Sequence, residues 1–225
     1  MKTVGTTLFH RLLLPERSSS AQHPTVIMLH GRGADEEDLF GLAPMLDEQL
    51  MVISVRAPFP FDYGGGFTWY EIDQANTPEP KMFLSSYELL TQFVRDVLAH
   101  YPVDPNNLFL LGFSMGTMMA FSLALTEPGL FRGVIANSGY VPEKSGLNFK
   151  WNQLSGVHFF IAHGMFDPVI PIAFGKRTRD LFSASNASWT YKEYPMAHEI
   201  SQESLSDASV WLKRIIDPGK GASSV

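Results

Sequence analysis

The sequence predicts an α/β protein with a mostly parallel central sheet and helices on both of its faces. Two observations predict this class. Short β-like runs alternate with longer amphipathic runs along the chain, an order typical of parallel strands joined by helical crossovers. Several short runs are apolar at every position, as strands are when both faces are covered. The 45% hydrophobic and 18% charged residues agree with a globular protein rather than a disordered one.

Seven strands are expected from the short runs, in chain order. They are Thr7–Leu13, Thr25–Leu29, Met51–Val55, Leu108–Leu111, Gly133–Ala136, Val157–Ala162 and Ser188–Glu193. Five helices are expected from the longer runs, and in the second of them the apolar residues recur at helical spacing. They are Glu37–Gln49, Leu84–Tyr101, Met115–Thr126, Pro171–Ala184 and Glu199–Ile216. Two stretches break the alternation: the Pro- and Gly-rich loop over residues 57–83 and the irregular connection over residues 138–156.

One large domain over residues 1–225 is expected rather than two, because a domain commonly holds about 150 residues. A chain of this length buries a sizeable core without needing disulfides or a metal. The end of the chain, residues 217–225, is rich in Gly and Ser and is expected to be frayed.

Charge and cysteine content exclude several functions. The chain has 17 Lys and Arg against 23 Asp and Glu, a net charge of −6. A phosphate backbone repels such a balance, so nucleic acid is not an expected partner. The absence of cysteine excludes disulfides and thiolate chemistry and fits a cytoplasmic location. The N-terminal apolar triplet Leu12–Leu14 is too short for a signal-peptide core.

Two further stretches resemble a membrane helix and a metal site. Residues 105–126 carry no charge, and their length alone would allow a membrane helix. They divide into a β-like half and a helical half, so we expect two adjoining buried elements and no membrane span. The acidic run over residues 35–38 resembles a metal site. We interpret it as acidic residues at a helix N-terminus, where the dipole favours them, and expect neither a metal nor a cofactor.

The strongest chemical signal is the pentapeptide Gly112-Phe113-Ser114-Met115-Gly116. It follows an apolar β-like run and precedes a helical run, the context that the G-x-S-x-G nucleophile elbow requires. Glycines relieve the crowding of a tight strand-to-helix turn, and the N-terminus of the following helix favours negative charge beside the serine. We therefore expect Ser114 to be a nucleophile.

A serine nucleophile needs a base, which in this architecture comes last in the order Ser, Asp or Glu, His. Three histidines follow Ser114. His158 lies inside a β-like run and His163 at the end of one. His198 lies between the last strand and the last helix, where a loop can deliver its imidazole to the serine, so it is the expected base.

The third member of the triad should follow the strand Val157–Ala162. Asp167 comes just after Val157–Ala162 and before a helix, whereas Asp180 falls in mid-helix. We expect Asp167 to hold the tautomer of His198 and to stabilise its imidazolium. An ordinary helix cap or turn is the alternative role for Asp167.

Acyl transfer also needs donors for the developing oxyanion. One is expected from the backbone N–H of Met115, the residue after the nucleophile. The second is expected from the N–H of Arg32, in the loop His30-Gly31-Arg32-Gly33 that follows an early strand. His30 is expected to shape that loop rather than to take part in the chemistry.

These motifs together resemble the carboxylesterase/phospholipase/acyl-protein thioesterase family. The resemblance covers about residues 7–216 and rests on the loop at His30, on Trp69-Tyr70, on the serine pentapeptide, on His163-Gly164 with Asp167, and on Ala197-His198. It implies an α/β-hydrolase fold without a separate cap domain and a serine hydrolase acting on carboxylic esters, with Ser114, Asp167 and His198 as its triad. Family members often carry glutamine after the serine, and Met115 in its place favours a carboxylesterase over an acyl-protein thioesterase.

The expected activity is hydrolysis of short- to medium-chain acyl esters, of about four to eight carbons, since each methylene adds about 0.8 kcal/mol only while the pocket lasts. Thioester or lysophospholipid cleavage is the alternative, and a non-catalytic binding module on the same fold is a more distant one. The family forms both monomers and dimers, so a homodimer is one of the two expected oligomeric states.

The expected pocket residues are Phe67, Trp69, Tyr70, Met118, Met165 and Phe166. The alternative role for the aromatic residues is to pack their loop onto the sheet.

Overall fold

The computed structural model describes residues 5–15, 21–72 and 77–217, and its centre is a seven-stranded sheet. The strands of this sheet are β1 (His10–Leu13), β2 (His23–Leu29), β3 (Met51–Val55), β6 (Val103–Phe113), β7 (Gly133–Asn137), β8 (His158–Gly164) and β9 (Ser188–Tyr194). Their spatial order is β1-β3-β2-β6-β7-β8-β9. Every neighbouring pair is parallel except β1 with β3. The mostly parallel sheet is therefore confirmed.

Helices cover both faces of this sheet, also as expected. They are α1 (Pro80–His100), α2 (Met115–Thr126), α3 (Ile172–Ser183) and α4 (Gln202–Ile216). Buried side chains of α1, α2 and α3 join one apolar core, and those of α4 join the other with a 3-10 helix at Phe40–Met45. Both faces of the central strands are thus covered, which explains why the sequences of β2 and β3 are almost wholly apolar.

The uncharged stretch over residues 105–126 divides between β6 and α2. All twelve residues of α2 are buried, so the helix lies wholly inside the protein and needs no polar face. Among the described residues, no helix is long and apolar enough to cross a membrane.

The predicted helix Glu37–Gln49 is wrong. Only the six-residue 3-10 helix Phe40–Met45 forms there. Pro44 lies inside it and cannot donate the backbone hydrogen bond that a continuing α-helix needs, and Gly41 lowers the helix propensity further.

Several element boundaries also differ from those predicted. The first strand is only His10–Leu13. Helix α1 begins at Pro80, four residues before the predicted start, because the Glu79 carboxylate accepts hydrogen bonds from two first-turn amides. Helix α4 begins after Ser201, whose side chain caps it. The loop over residues 57–83 contains a small hairpin of β4 (Phe59–Pro60) and β5 (Phe67–Thr68). The predicted frayed end lies outside the described residues beyond Asp217.

Candidate active site

Ser114 lies at the turn between β6 and α2, in a strained backbone conformation with φ 54° and ψ −118°. The flanking glycines make this turn sterically feasible. A Cβ at Gly112 would lie 2.5 Å from the Cα of Thr117, and a Cβ at Gly116 would overlap the carbonyl oxygen of Leu29. The Ser114 amide donates to the carbonyl of Asn137 on β7 at 3.0 Å. The strand-turn-helix context therefore presents the serine at the carboxyl edge of the sheet.

The structure brings the three expected triad residues within hydrogen-bond distance of one another. His198 Nε2 lies 2.9 Å from Ser114 Oγ, and His198 Nδ1 lies 2.7 Å from Asp167 Oδ2. Ser114 follows β6, Asp167 follows β8 and His198 follows β9, so the three residues come from the carboxyl ends of parallel strands of one sheet, with β7 between the first two. The two hydrogen bonds that link Asp167, His198 and Ser114 have the geometry expected of a serine nucleophile with its base and orienting acid.

The hydrogen bonds fix which ring nitrogen of His198 carries its proton. The side chain of Asp167 has no exposed surface, yet its Oδ1 accepts the amides of Val169 at 2.9 Å and Ile170 at 2.8 Å. These two amides satisfy the buried Oδ1. Its Oδ2 accepts the Nδ1–H of His198, which leaves Nε2 free to accept the hydroxyl proton of Ser114. The imidazole also packs against the ring of Phe113, with centroids 5.0 Å apart.

Two backbone amides near the serine have no protein acceptor. A Cβ at Gly31 would lie 3.5 Å from Ser114 Cβ, so the loop after β2 passes beside the nucleophile. Within the described part of the chain, the amides of Arg32 and Met115 donate to no protein acceptor. The Met115 amide is also the first of α2, where the helix dipole is positive. Both expected oxyanion donors are therefore available.

His30 is fully buried and holds the loop that carries Arg32. Its Nδ1–H donates to the Gly31 carbonyl at 2.7 Å, and its Nε2 accepts the amide of Ala57 at 3.0 Å. Burial lowers the pKa of His30, which favours the neutral ring that this pattern requires. The indole N–H of Trp69 donates to the His30 carbonyl at 2.9 Å. His30 contacts backbone on both sides, in agreement with a structural role.

The expected substrate pocket needs correction. Trp69 and Tyr70 have no exposed surface; they pack the loop onto the sheet and cannot line an open pocket. Burial raises the pKa of Tyr70, and its hydroxyl donates to the sulfur of Met118, which is itself almost fully buried. Phe67 is half-buried beneath the guanidinium of Arg56, 4.5 Å from its ring centroid.

Two of the expected pocket residues do reach the surface. Met165 and Phe166, next to Asp167 in the loop after β8, are 41% and 69% exposed. They are the members of the predicted set that could contact a substrate at the mouth of the site.

The sequence prediction missed a cleft of about 570 Å³ formed beyond the end of β7. Its lining includes Pro78, Tyr140, Val141, Pro142, Phe174 and Thr178. A Cβ at Gly139 would lie 2.8 Å from the Ser114 carbonyl oxygen. The cleft residue Tyr140 is the next residue in the sequence after Gly139. The cleft volume is within the range of small-molecule sites. Its sequence signals were the two stretches that break the alternation, since Pro78 lies in the loop over residues 57–83 and Tyr140 in the connection over residues 138–156.

The interpretation of the acidic run as the N-terminus of a helix is wrong, because the expected helix does not form and the first turn of the 3-10 helix Phe40–Met45 carries no acidic residue. The acidic side chains have other structural partners. Glu36 forms a two-pronged ion pair with Arg56, at 2.5 and 2.6 Å, and Glu37 pairs with Arg11. The carboxylate of Asp35 accepts the Glu37 amide. In the described ranges, no group of three or more His, Asp or Glu side chains is arranged to hold a metal ion.

Residues 16–216 match the family model described as Phospholipase/Carboxylesterase. An acyl-protein thioesterase 1 from Candida albicans is 29% identical over 226 residues, covering 91% of this chain and 96% of the relative. A carboxylesterase from Bacillus cereus superposes with a TM-score of 0.81 at 24% identity, covering 92% of this chain and 94% of the other. A carboxylesterase from Mesorhizobium loti gives a TM-score of 0.80 at 23% identity, covering 92% and 95%.

The likeness to the two solved carboxylesterases shows the α/β-hydrolase fold. The family match covers most of the chain and includes Ser114, Asp167 and His198. Taken with the strand-turn-helix setting of Ser114, these findings show that the chain belongs to the phospholipase/carboxylesterase family and is a serine hydrolase of its esterase and thioesterase class.

Proposed function

We propose that the protein hydrolyses carboxylic esters of short- to medium-chain acyl groups through an acyl-enzyme on Ser114. The observation that carries the proposal is the chain of two short hydrogen bonds from Asp167 through His198 to the Ser114 hydroxyl. His198 Nε2 takes the hydroxyl proton as Oγ attacks the ester carbonyl, and Asp167 stabilises the resulting imidazolium.

The negative oxygen of the tetrahedral intermediate is held by the amides of Arg32 and Met115, which have no protein acceptor among the described residues. As the intermediate collapses, the imidazolium gives its proton to the leaving alcohol, and an acyl-Ser114 ester remains. Water, deprotonated by His198, then releases the carboxylic acid and restores the serine.

The acyl group binds in the cleft beyond the end of β7, with Tyr140 and Phe174 as its main apolar contacts. These two rings lie 4.8 Å apart between centroids and line the cleft together. Met165 and Phe166 add apolar surface at the mouth. Each methylene that enters contributes about 0.8 kcal/mol, and carbons beyond the cleft contribute little. An optimum at about four to eight carbons follows from this limit.

Thioester hydrolysis is the second candidate. It is supported by the name of the Candida albicans relative, which is an acyl-protein thioesterase 1. The same triad would serve, because a thiolate leaving group departs at least as readily as an alkoxide. Met115, where the family often has glutamine, favours the ester. Lysophospholipid cleavage would use the same chemistry on a longer acyl chain.

A substrate panel separates these candidates. Purified protein is assayed on p-nitrophenyl esters from two to sixteen carbons and on acyl thioesters of the same lengths, with a fluorophosphonate probe to label the serine. We expect labelling of the wild type and none of Ser114→Ala, with kcat/KM highest at about four to eight carbons. An optimum at sixteen carbons, or equal efficiency on palmitoyl thioesters, would favour the thioesterase.

A cleft variant tests the acyl site separately. Phe174→Ala should flatten the chain-length profile while leaving fluorophosphonate labelling intact. The control is Val210→Ala on α4, where the side chain is similarly exposed (49% against 44% for Phe174) and lies outside the cleft. An unchanged profile in Phe174→Ala would place the acyl chain elsewhere.

A further inference from the structure

A second histidine lies buried beside the catalytic acid. His163, at the end of β8, has no exposed surface and makes no contact with Ser114 or His198 that would give it a place in the proton transfer. Helix α3 packs directly against its ring, because a Cβ at Gly175 would lie 2.9 Å from His163 Cγ and Nδ1. The ring is therefore held in one place by the backbone of a neighbouring helix.

The hydrogen bonds of His163 define its tautomer. Its Nε2 lies 2.8 Å from the carbonyl oxygen of Ile170, which can only accept, so Nε2 carries the proton. The same Nε2 lies 3.7 Å from Asp167 Oδ2. Nδ1 is buried without a hydrogen-bond partner in the described part of the chain. The nearby hydroxyl of Tyr191 on β9 donates instead to Glu193, at 3.0 Å.

Packing alone does not account for a histidine here. A buried polar atom without a partner costs about 1–3 kcal/mol, a cost that an apolar side chain of similar size would avoid. The bonded nitrogen is the one that faces the catalytic acid. The hydrogen bond from the His163 Nε2–H to the Ile170 carbonyl therefore has to offset the free-energy cost of the unpaired Nδ1.

The Nε2–H acts on the turn that holds Asp167. The Ile170 amide donates to Asp167 Oδ1 at 2.8 Å, while the Ile170 carbonyl accepts from His163. Ile170 is thus held at both of its backbone polar groups. The Asp167 carboxylate binds its amide, and the His163 imidazole binds its carbonyl. The positive end of the N–H dipole also lies near Oδ2, the oxygen that His198 uses.

We propose that His163 is a positioning residue that holds the turn over residues 167–170 and thereby keeps Asp167 Oδ2 on the Nδ1–H of His198. The inference rests on the proposed serine mechanism. Without the Nε2–H the turn is free to rotate, and the carboxylate moves off the imidazole. The imidazolium formed during attack by Ser114 then loses its counter-charge. A misplacement of about 1 Å in such a group costs on the order of a hundredfold in rate.

The test compares His163→Leu, which removes the donor, with His163→Gln, whose side-chain amide can donate from about the position of Nε2. His158→Gln is the control, because it changes a half-buried histidine of the same strand away from the site. Active sites are counted by fluorophosphonate titration, and kcat per active site, KM and the pH–rate profile are measured with a p-nitrophenyl ester.

His163→Leu should lower kcat per active site by about ten- to a hundredfold and leave KM within about twofold. The acid limb of its pH–rate profile should move to lower pH, because an imidazole that has lost its carboxylate partner gives up its proton more readily. His163→Gln should retain most of the rate and an unmoved acid limb, and His158→Gln should match the wild type.

A purely structural role would reduce only the number of active sites. Wild-type kcat per active site with an unmoved acid limb in His163→Leu would overturn the proposal. If His163→Leu fails to fold, His163→Asn takes its place, because its amide is too short to reach the Ile170 carbonyl and the same losses are expected. Failure of the serine mechanism itself would show differently, as a wild type that neither labels nor turns over.

Discussion

Among single residues, burial and hydrogen bonding separate Asp167 from the other carboxylate considered for the same role. The Asp167 side chain is fully buried and accepts three hydrogen bonds, one of them from His198. Asp180 lies on α3 with 57% of its side chain exposed, and among the described residues its carboxylate pairs only with the neighbouring Arg179. A surface pair of that kind contributes little. Only Asp167 can hold an imidazole in one tautomer.

Asp167→Asn tests this difference in a single side chain. The amide can present an N–H to His198 and thereby favour the wrong tautomer, so kcat should fall by about ten-thousandfold, as the analogous change does in a serine protease. The matched control is Asp180→Asn, which should stay within about twofold of the wild type. The measurement is kcat on a p-nitrophenyl ester. A variant Asp167→Asn that keeps more than about a tenth of the rate would contradict the assignment.

At the scale of elements, the site depends on backbones that approach one another without side chains between them. The N-terminus of α2 lies against the end of β2, and the position of contact is Gly116, where a Cβ would overlap the carbonyl oxygen of Leu29. The contact places the serine turn beside the loop that carries Arg32. The nucleophile and one of its expected oxyanion donors are therefore set by the same close packing.

Gly116→Ala should disrupt this junction. The overlapping atoms belong to the backbone, which cannot swing aside as a side chain would, so we expect a loss of about 3 kcal/mol or more in the free energy of unfolding. Gly129→Ala is the control, because a Cβ there meets open space. Urea denaturation of both variants measures the effect. Equal stability of the two would show that the junction has room to relax.

At the scale of the whole molecule, three histidines far apart in the fold share one electrostatic property. Burial lowers the pKa of His10, His30 and His158. His10 joins β1 to the end of α1 through the Tyr101 hydroxyl at 2.8 Å, and His30 holds the loop after β2. Protonation of these rings therefore opposes the packing of several separate elements.

Stability should consequently fall as the solution becomes mildly acidic. Because the folded-state pKa of each ring lies below its unfolded value of about 6.5, the unfolded chain binds the protons first. The stability is fully present above about pH 7 and is lost as pH falls below about 6.5. The melting temperature should drop between pH 7.5 and 5.5, and His10→Gln should show a shallower drop. A flat melting temperature over this range would contradict the prediction.

The sequence by itself determined the order of the seven sheet strands and the four α-helices, and the residues that the structure brings together as Ser114, His198 and Asp167. Both follow from local patterns. Apolar runs predict covered strands, and the carboxyl ends of parallel strands converge on one edge of the sheet. Residues in the loops after β6, β8 and β9 therefore lie at the same edge, although β7 separates the first two strands. The predicted oxyanion amides were accessible to the same reasoning, because they too are placed by strand ends.

Only the tertiary structure decided what lies between the elements. The aromatic residues Trp69 and Tyr70 have the composition of a pocket lining, yet packing against the sheet buries them completely. The cleft at Tyr140 and Phe174 is formed by segments that are distant in sequence. The position of His163 against Asp167 depends on how α3 docks on the end of β8. Sequence patterns report which faces are apolar, but enclosure depends on long-range contacts that no local spacing encodes.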